Sequence, residues 1–420
     1  MRRVWQIVAL GIALFFAFVP ELKALTEVSG SPFSAVGNLP VALTATTSTT
    51  NPFLYSANNE SNGVSIFQIG VTTGKLGTAS QTTGTGLVNG APIDLAYVRS
   101  DVLLVLNQAG NAVSSFTITP STGALTFRDT ECTGGAMVCP ADSSAQDADP
   151  AGIAVKPTGD VFYVTNQASG TISAFTLSGS GIMTFVTTTT AQTARKPTGI
   201  AANNSFVFVA NRGNNTVSVY SIGSTPTTLT EVSGSPVATG SNPEGVAITS
   251  AGDRLFVTNN TGNSVSAFTV STTTGALAKV TNSPFSVGTG VSGPKGLALI
   301  GTGSLIVADQ ASNHISIFSI DGAGALSAVS GSPFPISGGP TDALVEVNGK
   351  FFYVANAQVN NIRAFSTADL PGAPGTTGGI PTLSEWGMII LILLRLTLAA
   401  WRLGWGPAPV GMPVRWNGRR

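Results

Sequence analysis

One two-strand phrase occurs seven times in this chain, and the spacing between its halves never changes. The first half is an apolar run ending in Asn or Asp, at Asn58, Asn107, Asn166, Asn211, Asn259, Asp309 and Asn356. The second opens six residues later on a β-branched residue, at Val64, Val113, Ile172, Val217, Val265, Ile315 and Ile362. Ser usually follows, with an aromatic residue three positions on. Successive copies lie 49, 59, 45, 48, 50 and 47 residues apart. A period of this size in short apolar runs separated by turn residues marks the blades of a propeller. The sequence therefore predicts an all-β fold, a seven-bladed β-propeller with four-stranded antiparallel blades.

A Pro precedes each phrase, at positions 40, 92, 150, 197, 243, 294 and 340, and opens a short apolar strand a, as in Pro197-Thr198-Gly199-Ile200-Ala201. The run ending in Asn or Asp is strand b. Its terminal Asn is expected to hydrogen-bond the backbone of its own turn, a habit of Asn and Asp. The Val-Ser-x-Phe phrase is strand c, and a Gly-x-Leu signature such as Gly275-Ala276-Leu277 opens strand d. Several d strands end in Ser-Pro-Phe or a near match, at 31–33, 235–237, 283–285 and 332–334. Pro is tolerated on an outer edge, where one side needs no N–H donor. The seventh repeat, from Pro340 to about Leu370, shows a, b and c but no d. At the other end of the chain, Leu25-Thr26-Glu27-Val28-Ser29-Gly30-Ser31-Pro32 is identical to Leu229-Thr230-Glu231-Val232-Ser233-Gly234-Ser235-Pro236 of the fourth blade. Residues 25–37 are thus expected to complete blade seven and close the ring, hiding two sheet edges.

This topology gathers the b–c and d–a loops at one end. The residues just after each strand-b Asn or Asp are Asn59, Gln108, Gln167, Arg212, Asn260, Gln310 and Ala357; those just after each Pro are Val41, Ile93, Ala151, Thr198, Glu244, Lys295 and Thr341. They form a mostly polar ring with one charged sector, Arg212, Glu244 and Lys295, with Asp309 and His314 near it in repeat position. Gln108, Gln167, Arg212, Glu244, Lys295, Asp309 and Gln310 are the candidate ligand-face residues, because a channel mouth with a few convergent polar groups is the default binding site. A solvated loop face that binds nothing is the plain alternative. His314, the only histidine, falls at a repeat position filled elsewhere by small or polar residues, which suits a surface role as well as proton transfer. No Gly-x-Ser-x-Gly elbow offers a serine nucleophile. Gly288-Thr289-Gly290-Val291-Ser292-Gly293 matches a dinucleotide fingerprint but leads into Pro294 and a strand rather than a helix, so no cofactor is implied. Asp142, Asp147 and Asp149 fit no EF-hand spacing, and no metal site is assigned.

Charged residues make up 10% of the chain at zero formal net charge, which excludes nucleic acid as a partner. Arg2 and Arg3, an apolar run to Val19 and Leu22-Lys23-Ala24 read as a signal peptide over 1–24, followed by the propeller at 25–370. Export would place the only two cysteines, Cys132 and Cys139, in an oxidising compartment, where a disulfide between them is favoured over two free thiols. A Gly- and Pro-rich linker covers 371–379. Then come Ile380-Pro381-Thr382-Leu383-Ser384-Glu385-Trp386-Gly387, an apolar run from Met388 to Trp401 and an Arg-rich tail, over 380–420. Trp386 and Trp401 suit the two interfaces of a single membrane helix, although Arg395 at its middle is costly.

Over 25–370 the blade phrases resemble the lactonase-like and Tyr-Val-Thr-Asn-repeat propellers. The motif 380–387 resembles the bacterial Ile-Pro-Thr-Leu carboxy-terminal sorting signal, often written IPTL-CTERM. That second resemblance implies an exosortase-type processing enzyme as a partner, at least transient membrane contact, and display at the surface of a Gram-negative bacterium. The joint expectation is an exported propeller that acts as a binding module for a surface glycan or a protein. The lactonase-like resemblance implies a rival, a lactone hydrolase with Arg212 and Lys295 as anion-binding groups, Glu244 as base and His314 as proton carrier. A structural surface protein without a specific ligand is the third reading.

Overall fold

The computed structural model describes residues 25–83, 90–98, 101–134, 149–190, 195–225 and 227–371. They form seven antiparallel sheets. Blade 1 runs Pro40–Ala45, Phe53–Asn58, Gly63–Gln68 and Ser80–Thr83 from strand a to strand d. The same order recurs through blade 6, and blade 7 contributes Pro340–Val345, Phe351–Asn356 and Asn361–Ser366. The ring closes as the repeated octapeptide predicts: Phe33–Ser34 pairs antiparallel with Asn361–Ser366, and Glu27 forms a bridge with Phe365. No described helix is long and apolar enough to cross a membrane. The proposed membrane helix, the linker after Pro371 and the motif Ile380 to Gly387 lie outside the described residues, as do the signal peptide and Cys139.

The core is divided among the blade junctions. Phe162, Val164 and Phe175 of blade 3 pack on Leu104, Leu106 and Val113 of blade 2, while Tyr163 and Ile172 pack on Val207, Val209 and Tyr220 of blade 4. Each strand b is therefore covered on both faces, which is why it reads as a continuous apolar run rather than an alternation.

The conserved-looking phrases have separate jobs. The strand-b Asn is fully buried, and in blades 1 to 5 its Nδ2 donates to the strand-c Ser seven residues on, at 2.8–3.0 Å. This replaces the expected bond to its own turn: the amide is turned to strand c. A different Asn serves the turn. Asn62, Asn111, Asn215, Asn263, Asn313 and Asn360 all take positive φ. Each Oδ1 accepts the N–H of the residue just before the next blade's Pro, at 2.7–3.2 Å, stitching blade to blade. In the Ser-Pro motif, Pro interrupts the outer strand, and the preceding Ser Oγ accepts the strand-c N–H left open there. Ser31 takes Ala364 at 3.1 Å, Ser235 takes Val219 at 3.0 Å, and Ser283 and Ser332 take Ala267 and Ile317 at 2.9 Å.

Candidate functional site

Strand a lines the central channel, and a register break follows its opening Pro in every blade. Such a bulge turns neighbouring side chains toward the same side. As a result the first residue after each Pro lines a cavity of about 420 Å³ at the channel mouth, and in six blades the second does too.

Of the sequence candidates, Gln108, Gln167, Arg212, Glu244 and Lys295 come together around this cavity, with Asn59 beside them. The Arg212 and Glu244 side chains form an ion pair at 3.6 Å, with Arg212 the more exposed. Gln108 Nε2 donates to Asp149 Oδ1 at 2.6 Å, so it is held from the next blade. Asp309, Gln310 and His314 are not among the lining residues. Asp309 occupies the strand-b slot and is fully buried, its Oδ2 2.6 Å from Ser316 Oγ. Burial pushes its carboxyl up to about 7. His314 opens strand c, pairs with Pro335 on the outer edge, and its Nδ1 lies 2.7 Å from Ser312 O. Gln310 starts a short 3-10 turn, where its N–H donates to Gly293 O. Cys132 is disulfide-bonded.

Two residues that sequence reasoning passed over complete the cavity. Asp94 and Asp342 stand second after their Pro. Strict alternation puts that position on the face opposite the first, and only the bulge brings both inward. Blades 3 to 6 carry Gly there. A Cβ at Gly199 or Gly245 would collide with the main-chain oxygen of Glu244 or Lys295 in the next blade, so those inner strands touch backbone to backbone. Blades 2 and 7 bridge the interval with a carboxylate. Asp94 Oδ1 accepts Leu95 N–H at 2.8 Å and Oδ2 accepts Ile153 N–H of blade 3 at 3.0 Å. Asp342 accepts Ala343 N–H at 2.9 Å and Leu43 N–H of blade 1 at 2.8 Å. Burial raises both: Asp94 to about 7, with the charge of Asp342 adding to the rise, and Asp342 to about 6, with Lys295 opposing it. Among the described residues no group of three His, Cys, Asp or Glu side chains gathers to hold a metal ion.

Comparison with known proteins places this architecture. Residues 22–142 and 143–292 match the family model described as lactonase, 7-bladed beta-propeller. No curated protein matches the chain. Among solved structures, the periplasmic gluconolactonase of Pseudomonas aeruginosa superposes with a TM-score of 0.61 at 18% identity, covering 75% of this chain and 91% of that one. Virginiamycin B lyase of Staphylococcus aureus gives 0.57 at 15% identity, covering 80% and 98%. Hydrazine synthase of Kuenenia stuttgartiensis gives 0.59 at 16%, covering 81% and 99%. Three such different proteins on one ring show the fold alone.

Proposed function

We propose, from the premise that this chain belongs to the seven-bladed lactonase propeller family, that it opens the ring of a small lactone at the channel mouth. The observation that carries this reading is one cavity, of a volume suited to a small molecule, lined by two cations and three carboxylates from different blades. Ester hydrolysis needs those two elements: positive charge where an oxyanion develops, and a group that takes a proton from water. Arg212 and Lys295 supply the first, and a carboxylate supplies the second. His314 has no place in this scheme because it opens strand c beside the outer strand and does not line the cavity.

The polar arc of Asn59, Gln108 and Gln167 favours a second reading, a binding module that holds a surface glycan by its hydroxyls. In either case the protein acts outside the cytoplasm, on the support of the disulfide at Cys132 and of the exosortase-type sorting motif at 380–387. The deciding experiment offers the full-length chain a panel of five- and six-membered lactones, with proton release and thermal shift read together. Turnover above the buffer rate supports the hydrolase. A melting shift with glycans and no turnover on any lactone would replace it with the binding module.

A further inference from the structure

We infer that Asp342 and Asp94, rather than Glu244, are the catalytic carboxylates of the channel mouth, with Asp342 activating water beside Lys295 and Asp94 protonating the departing ring oxygen. The inference rests on the lactone reading and specifies which residues perform it.

Glu244 is already engaged. Its carboxylate pairs with Arg212 at 3.6 Å, which commits it to holding that guanidinium in place. Asp342 and Asp94 are built differently. Each carboxylate receives two main-chain N–H groups, one from its own strand and one from the inner strand of the next blade. One donor per oxygen fixes the orientation of the group while leaving lone pairs on both oxygens for water or substrate. The two occupy the same repeat position two blades apart, and the residue between them in that ring is Ala42, also in the cavity wall. Nothing larger than a methyl group stands at that position to divide them.

Their surroundings separate their roles. Beside Asp342 lies blade 6: a Cβ on Gly296 would come within 2.5 Å of its Oδ1, so the carboxylate rests on the backbone next to Lys295. Lys295 makes no ion pair among the described residues and favours the ionised form of Asp342. Asp94 feels instead the negative charge of Asp342 and keeps its proton to higher pH. Two like carboxyls in unlike fields are the arrangement that assigns base and acid. Arg212 and Glu244 are the other charged groups of the same wall.

The step balances. Water oxygen bonds to the lactone carbonyl carbon as its proton passes to Asp342, and Lys295 faces the oxyanion. The acyl carbon–ring oxygen bond then breaks, and the ring oxygen takes the proton of Asp94. The product is the open hydroxy acid, and solvent returns a proton from Asp342 to Asp94.

The test uses the full-length chain with glucono-δ-lactone as probe, following kcat and KM across pH in the wild type, Asp342→Asn, Asp94→Asn and Glu244→Gln. The wild-type profile is expected to rise through about pH 6 and fall above about pH 7. Asp342→Asn should lower kcat by about 100-fold or more and abolish the acid limb; Asp94→Asn should abolish the alkaline limb. Glu244→Gln should raise KM while kcat stays within a few fold. Wild-type kcat in Asp342→Asn, or a kcat loss in Glu244→Gln as large as in the aspartate variants, would overturn the assignment. Should Asp342→Asn fail to fold, a wild-type rate that is flat from about pH 5 to pH 8 overturns it equally. No wild-type turnover on the whole lactone panel sinks the hydrolase reading itself, and the assignment with it.

Discussion

Blades 4 and 7 carry the same octapeptide as outer strand and obtain it in opposite ways. In blade 4, Leu229–Glu231 and Val237–Ala238 follow directly on strand c of the same blade. In blade 7 the strand arrives from the other end of the chain. Both copies place a Glu in the sheet, and both give it an arginine, from unrelated positions. Glu231 receives Arg195, from the segment that leads into strand a, at 2.7 Å. Glu27 receives Arg363, from strand c, through two bonds at 2.5 and 2.8 Å. Arg363 stands in the slot where blade 4 has Ser218, so Asn356 loses its serine partner and donates to Asn361 Oδ1 at 2.9 Å instead. The comparison shows that a half-buried carboxylate imposes a cation on its surroundings without fixing where in the sequence it comes from.

Removing the closing strand should separate the two blades most. Deletion of 25–37 opens the ring, exposes the strand-c edge of blade 7 and strips Glu27 from Arg363. We expect a loss of several kcal/mol, seen as a melting temperature lower by ~10 °C. A ring that melts unchanged would mean that blade 7 needs no outer strand and that the likeness to blade 4 is superficial.

The two arginines come next. The Arg195 side chain is 8% exposed and its Glu231 partner 29%, against 21% and 30% for Arg363 and Glu27. Arg195→Ala should therefore cost about 3 kcal/mol, because it empties a buried site in which the guanidinium bonds Ser218 and Tyr220 as well as Glu231. Arg363→Ala should cost about 1 kcal/mol, since water reaches that pair more easily. Their order in a denaturant titration checks this, and equal costs would show that burial does not distinguish the blades. The hydrogen bonds from Arg363 hold the Glu27 carboxyl below its usual value. The stability it contributes is therefore present above the unfolded carboxyl range and disappears as pH falls through the folded value. The difference between Arg363→Ala and wild type should vanish in acid.

The smallest effect belongs to blade 6, which has Asp309 where blades 4 and 7 have Asn211 and Asn356. Ser316 Oγ lies 2.8 Å from Val287 O and 2.6 Å from Asp309 Oδ2, and one hydroxyl proton cannot serve both. A protonated Asp309, which its raised pKa makes available below about pH 7, resolves this. The raised folded value means that the native state holds this proton longer than the unfolded chain. Stability from this group is therefore lost as pH climbs toward 7. Asp309→Asn should raise stability by about 1 kcal/mol at pH 8 and by little at pH 5. A gain of the same size at both pH values would show that the strand-b slot does not sense charge.

Most of this architecture was legible in the sequence, for a physical reason. A strand b covered on both faces leaves a continuous apolar run, and the octapeptide shared by residues 25–32 and 229–236 marks the closure in the sequence itself. Arg212, Glu244 and Lys295 could be placed on one face because the b–c and d–a loops lie at the same end of every blade. Asp94 and Asp342 were invisible because a bulge breaks the period of two on which facing arguments depend. The Arg195–Glu231 pair was hidden differently: its members lie in separate stretches of blade 4, and only packing brings them together.

The break in register after each Pro has a further consequence. In all seven blades the residue following Pro has no partner across the ladder. Strand pairing is therefore blind to what stands there. Val41, Ala151, Glu244 and Lys295 occupy equivalent places at no cost in strand pairing, so heredity can redraft the mouth one blade at a time while the ring stays as it is. On such a chassis chemistry and architecture are inherited almost separately, and a shared ring says little about a shared reaction.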